Sequence, residues 1–147
     1  MNNGQIVNYT YEEISDTLKT IQKCMREDKY SISQNANRIE NNDFMAEYNL
    51  TTAKIKDIIS AIEVTDFCYG LQNEHIGFEH EILYVFCPQI ELPYGNVVEV
   101  IDIYSKFNIL DGERVVVISF HKRNHPINYL FRQITDDDNN KSEEGAL

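Results

Sequence analysis

The chain has 147 residues, of which 42% are hydrophobic and 11% aromatic, with only 6 Gly and 3 Pro; that is material for one core of ordinary domain size and argues against a disordered or fibrous chain. With 24 acids against 13 bases the formal charge is −11, which excludes a protein that coats phosphate backbones over its whole surface and leaves any nucleic-acid role to a local basic patch. Cys24, Cys68 and Cys87 form neither an even set nor a close pair, so they read as reduced thiols rather than a disulfide framework or zinc ribbon.

Residues 1–10 lack a charged n-region and an apolar h-region, and no apolar run approaches membrane-spanning length, so a cytoplasmic protein without a membrane partner is expected. The first element is an amphipathic helix over residues 10–26. Tyr11, Ile14, Leu18, Ile21 and Met25 recur at steps of three or four, Thr10 is placed to cap, and Glu13 completes a capping box. Ser31 to Asn37 is polar and reads as loop. Phe44, Met45 and Tyr48 then mark one short helix within 38–48, and Thr51 opens a second carrying Ile55, Ile58, Ile59 and Ile62.

After Thr65 the period changes. Ile82 to Phe86 is a short strand closed by Cys87 and Pro88, and Leu92 to Gly95 is turn chemistry, read as loop. Val97 to Ile109 and Val115 to His121 are β-rich runs around the hairpin signal Asp111-Gly112, and a last strand is expected from Ile127 to Phe131. Helices first and an antiparallel meander afterwards predict an α+β fold, with N-terminal helices packed on a small antiparallel sheet in one domain over residues 1–132. Residues 133–147 read as an acidic, solvated tail, or alternatively as an arm that shields a basic site or engages a partner.

The charge is uneven. From Glu63 to Asp102 there are eight acids and no Lys or Arg. From Ile103 to Arg132 five bases stand against two acids, so the strands that could carry a site are locally basic.

If Asp111-Gly112 centres a two- or four-residue turn, opposed residue numbers sum to 223. One face then holds Ile103, Phe120, Ser105, Ile118, Phe107 and Val116, and the other pairs Asp102 with His121, Tyr104 with Ser119 and Lys106 with Val117. The second face gathers groups suited to metal-free chemistry on a phosphodiester. His121 would carry protons, Asp102 would orient its ring, and Lys106 with Arg123 would stabilise charge on phosphate oxygens. Tyr104 would bond the phosphate or stack on a base. The same residues also describe a plain exposed sheet face, and a three-residue turn with a bulge would slip the register and separate the pairs.

His121, Lys122, Arg123, His125 and Pro126 form a basic turn at a strand end, the best local phosphate site in the chain. His75 and His80 among Glu74, Glu79 and Glu81 have metal-like composition but no helical ligand spacing, and read as a solvated loop. There is no Gly-rich phosphate loop and no nucleophile elbow, and no helix carries a basic recognition face.

Several blocks in order, Arg38 to Leu50, Asp66-Phe67-Cys68-Tyr69-Gly70, Tyr84-Val85-Phe86, Ile103-Tyr104-Ser105-Lys106, Ile118-Ser119-Phe120-His121 and Pro126 to Phe131, resemble the motility quorum-sensing regulator (MqsR-like) toxins of bacterial type II toxin–antitoxin systems. The resemblance spans residues 38–132. It implies a RelE-like fold and a metal-independent, cofactor-free endoribonuclease that cuts messenger RNA and is held inactive by a cognate antitoxin, with a DNA-binding antitoxin as one form of that partner. It assigns catalysis to Tyr104, Lys106 and His121, joined by Asp102 from the register, with Ser119, Lys122, Arg123 and Arg38 as substrate contacts. The chain departs from the pattern at Tyr69, where a catalytic lysine is expected, at Val85, where a catalytic glutamine is expected, and at Glu40, a charge reversal. An alternative of another class follows from the same acidity: a non-catalytic interaction protein on this fold that binds a basic, nucleic-acid-binding protein partner.

Overall fold

The computed structural model describes residues 4–34 and 38–132. The acidic tail expected over 133–147 lies outside the described residues. The fold is α+β, with three helices packed on a mixed sheet.

Helix α1, Tyr11–Arg26, begins where the sequence places it. Thr10 Oγ1 accepts from Glu13 N at 3.1 Å and Thr10 N donates to Glu13 Oε1 at 2.7 Å, so the capping box closes, and Ile14, Leu18, Ile21 and Met25 turn inward. Strand β1, Tyr30–Ile32, follows, and then α2, Ile39–Glu47, and α3, Thr52–Ser60, the latter capped by Thr51. A 3-10 turn, Val64–Asp66, leads into β2, Phe67–Gln72; β3 is Ile82–Phe86, β4 Gln89–Tyr94, β5 Val97–Leu110 and β6 Arg114–Lys122.

The strands run β1-β6-β5-β3-β2, with β4 pairing only the first half of β5. All pairings are antiparallel except β1 with β6, which is parallel. Three sequence expectations change here. Tyr30–Ile32, read as loop, is a strand because its backbone completes the ladder of Val115 to Val117, which local polarity does not reveal. Gln89–Tyr94, read partly as loop, is a strand as well. Pro93 is tolerated because β4 is an edge strand. Ile127 to Phe131, read as a strand, joins no ladder. It crosses the sheet as an irregular strap, fixed by Tyr129 Oη to Cys87 O (2.7 Å), Leu130 N to Phe67 O (3.1 Å) and Arg132 Nη2 to Asp66 Oδ1 (3.0 Å).

One sheet face carries the main core: Phe67, Phe86, Ile103, Phe107, Val115, Val117 and Phe120 packed against α1, α2 and α3. The opposite face holds a smaller cluster of Cys68, Tyr69, Val85, Cys87 and Tyr104, covered in part by Ile127 and Tyr129 of the strap. All three cysteines are free and buried.

Candidate active site

The β5–β6 hairpin sets the site, and its register differs from the expected one twice over. The turn has three residues, Asp111, Gly112 and Glu113, between paired Leu110 and Arg114; Asp111 (φ 53°) and Gly112 (φ 69°) both take the left-handed conformation that an Asp-Gly pair supplies at low strain. By itself this turn would place His121 opposite Ile103, in the core. A bulge between the pairs Phe107–Val117 and Lys106–Ser119 adds Ile118 to β6 and shifts the register once more. Phe120 returns to the core opposite Ser105, and Tyr104 faces His121.

The faces stand as expected for β5 and for Ser119 to His121, but before the bulge β6 is reversed: Val115 and Val117 enter the core in place of Val116 and Ile118, and none of the individual pairs holds. Asp102 is not opposite His121. It pairs with Gln89 in the ladder, accepts from Gln89 Nε2 at 3.0 Å, and forms an ion pair with Arg123 at 3.2 Å. Asp102 is thus removed from the proton-transfer group, and Arg123 is paired with that carboxylate while donating from Nη1 to His125 O at 3.1 Å. Lys122 is engaged as well, 3.5 Å from Glu47 and over the Tyr48 ring at 5.0 Å. The basic turn expected to bind phosphate has its two permanent cations neutralised by acids.

What does assemble is centred on Tyr104. Its ring lies 5.5 Å from that of His121, nearly parallel, and 5.0 Å from that of His125, edge-on. The two imidazoles are tied alike. His121 Nδ1 is 2.8 Å from Lys122 O, which can only accept, so that nitrogen carries the proton and Nε2 is left to react, 3.9 Å from Glu40 Oε1. His125 Nδ1 is 2.8 Å from Asn124 Oδ1, and Asn124 Nδ2 donates to Glu40 Oε2 at 2.7 Å, which fixes the amide orientation and again leaves Nε2 free. Glu40 thus holds Asn124, the partner of His125, and lies within ion-pair distance of His121.

Tyr104 Oη lies 3.3 Å from Tyr69 Oη, so the phenol that replaces the expected lysine is a partner of Tyr104. The bond favours the protonated form of Tyr104 and opposes that of Tyr69, so Tyr104 donates within the pair and the proton left to donate is Tyr69's. Burial, then the Tyr69 hydrogen bond, pushes the Tyr104 phenol well above its ordinary range, so it acts as a proton-bearing donor rather than a base. Val85, fully buried, pairs with Lys106 and supplies only an apolar floor.

Lys106 and Ser119 are cross-strand neighbours one step along the same face, with Ser119 buried. Lys106 is half-buried, and burial first and the nearby Arg38 guanidinium second lower its ammonium below the usual range. Among the described residues neither cation is in an ion pair. They line one groove. His75 and His80 lie in the exposed 73–81 loop, and among the described residues no group of three or more His, Cys, Asp or Glu is placed to hold a metal ion.

The residue that sequence reasoning missed is Asn41. Only 1% exposed, it donates from Nδ2 to Ser33 O and Ile118 O, both at 2.9 Å, and accepts from Phe120 N at 2.8 Å. Asn41 holds the bulge that turns His121 to the site. Its signal was a polar residue in an otherwise helical pattern, which reads as surface until the partner strand is known.

Comparison with known proteins finds no matching family model and no significant match to a curated protein or to a solved structure. Among the described residues no helix is long and apolar enough to cross a membrane.

Proposed function

We propose that this protein is a toxin-like, metal-independent endoribonuclease of RelE-like fold, acting on messenger RNA in the cytoplasm and restrained by a cognate antitoxin protein. One observation carries the reading. Tyr104 is flanked by two imidazoles whose Nδ1 atoms are tied to oxygen acceptors, with His121 Nε2 3.9 Å from Glu40 and with Lys106, in no ion pair among the described residues, two residues along the strand.

Cleavage of RNA by its own 2′-hydroxyl needs such a set. As the 2′-oxygen bonds to phosphorus and the bond from phosphorus to the 5′-oxygen breaks, one imidazole takes the 2′-proton and the other gives a proton to the departing oxygen. The tyrosine pair, through the proton left on Tyr69, and Lys106 donate to the phosphoryl oxygens, where charge accumulates.

The test is incubation of the pure protein with RNA in EDTA. Wild type should cleave, and His121→Ala, His125→Ala and Tyr104→Phe should each lose about 10²–10⁴-fold in rate while staying folded. Wild-type protein that neither cleaves RNA nor slows growth on expression refutes the enzymatic reading.

A second reading, a non-catalytic acidic protein that binds a basic partner, is favoured by a different feature. The β4–β5 ribbon extends beyond the main sheet and exposes Val98 and Val100, 62% and 59% accessible, beside Glu91. Salt-sensitive association with the protein encoded by a neighbouring gene, abolished by Val98→Lys and without RNA cleavage, would select this reading.

A further inference from the structure

The face described above continues past Lys106 into a groove of about 400 Å³ that crosses β5, β3 and β2. Leu71, Leu83 and Lys106 belong to the strands beneath it. Arg38, at the start of α2, stands on the β6 side, and Gln72 and His75 line it on the β2 side. Among the described residues Glu74 is the one acid that lines the groove, against Arg38 and Lys106.

Two cations brought together without a counter-ion are an unfavourable arrangement for an empty protein, and half-burial of Lys106 makes it more so. Among the described residues, Lys19, Lys23, Arg26, Lys54 and Arg114 also lack an ion pair. What distinguishes the groove is that Lys106 is half-buried and that the Arg38 guanidinium shares the groove with it. In a protein of charge −11, acids to quench Arg38 and Lys106 are abundant. What their pairing lacks, a bound anion supplies. The groove is also a continuation of the reactive face, since Lys106 and Tyr104 are two residues apart on one strand face, about 7 Å.

We propose that the Arg38–Lys106 groove is a substrate subsite that grips a phosphate of single-stranded RNA next to the scissile one. The strand runs from the Tyr104–His121 pair across β5 and β3, and the adjoining base lies toward Gln72 and His75. This rests on the reading of that face as an RNA site. A duplex presents its phosphates on a wide rigid cylinder, whereas a floor of strands walled on two sides admits one chain with its bases splayed. The two cations give grip without sequence information, and selectivity falls to the groups at the β2 end.

The experiment uses the full chain and a fluorescent single-stranded oligonucleotide with 2′-O-methyl sugars, which cannot be cleaved, so binding is read apart from catalysis. Arg38→Ala and Lys106→Met should each weaken binding about tenfold and lower the magnitude of the salt slope by about one unit. Lys122→Ala and Arg123→Ala, equal in charge but already paired, should change it less than twofold. Urea unfolding of each variant establishes that the fold persists, and Arg38→Glu should weaken binding further.

Equal losses in all four neutralised variants, no loss at Arg38 and Lys106, or no binding by wild type at low salt would each overturn the subsite. If wild type binds and is weakened as stated but does not cleave ordinary RNA, the subsite stands and the catalytic reading falls. If it cleaves with Arg38→Ala unaltered in binding, the reverse holds.

Discussion

Asn41→Ala should be among the most damaging single substitutions on the helical half of the protein. The side chain makes three hydrogen bonds of 2.8–2.9 Å to backbone groups of Ser33, Ile118 and Phe120 in a site where it is 1% exposed. Each is worth about 1 kcal/mol net, and the Phe120 N–H, left without a partner in a dry position, adds a desolvation cost of about 1–3 kcal/mol. The expected loss is about 4–6 kcal/mol, a large part of the ~5–15 kcal/mol typical of a domain. With a urea dependence of about 2 kcal/mol per molar, the midpoint should fall by about 2–3 M. Asn42→Ala is the control: Asn42 makes one exposed bond, to Gln34 O at 3.0 Å, and should shift the midpoint by a fifth of that or less. If Asn41→Ala costs under about 1 kcal/mol, the bulge is held by the strand pairing itself and the account of how His121 reaches the site is wrong.

Three other outcomes are expected. Lys106→Met should stabilise the fold at neutral pH while weakening RNA binding, because it removes a desolvated ammonium; the penalty it relieves is full below the lowered folded pKa and fades as pH rises toward the unfolded value near 10.4, so the wild-type and variant urea midpoints should converge in alkaline buffer. The cysteines should resist alkylation in the native protein and react fully in urea, since burial raises the Cys24 and Cys68 thiols and pushes Cys87 up to about 11; fast native labelling at pH 8 would show that the sheet face is more open than described. Asp102→Asn should leave RNA cleavage within about threefold of wild type and cost under about 1 kcal/mol, as expected of a partly exposed ion pair; a 100-fold loss of rate would return Asp102 to the proton-transfer group.

The sequence was most informative where structure is local. The capping box at Thr10 and Glu13, the apolar stripe of α1 and the Ile pattern of α3 depend on neighbours three or four residues away, and all three formed as read. Alternation along β5 also set which residues share a face, because burying Ile103 and Phe107 obliges Tyr104 and Lys106 to turn the other way, whereas on β6 the bulge breaks the alternation and buries Val117 with Phe120.

Which residues meet on that face was decided elsewhere. A three-residue turn and the bulge at Ile118 together moved His121 from Asp102 to Tyr104, and the bulge depends on Asn41, a helix residue whose partners lie on a distant strand. The pairing of Lys122 and Arg123 with Glu47 and Asp102, and the approach of Arg38 to Lys106, are likewise contacts between segments far apart in the chain. Composition and periodicity fixed the class of fold and the sidedness of β5 because those follow from burying apolar surface. Only the tertiary structure decided which charges are quenched and which stand free, because electrostatics and hydrogen bonding act through distances that sequence order does not contain.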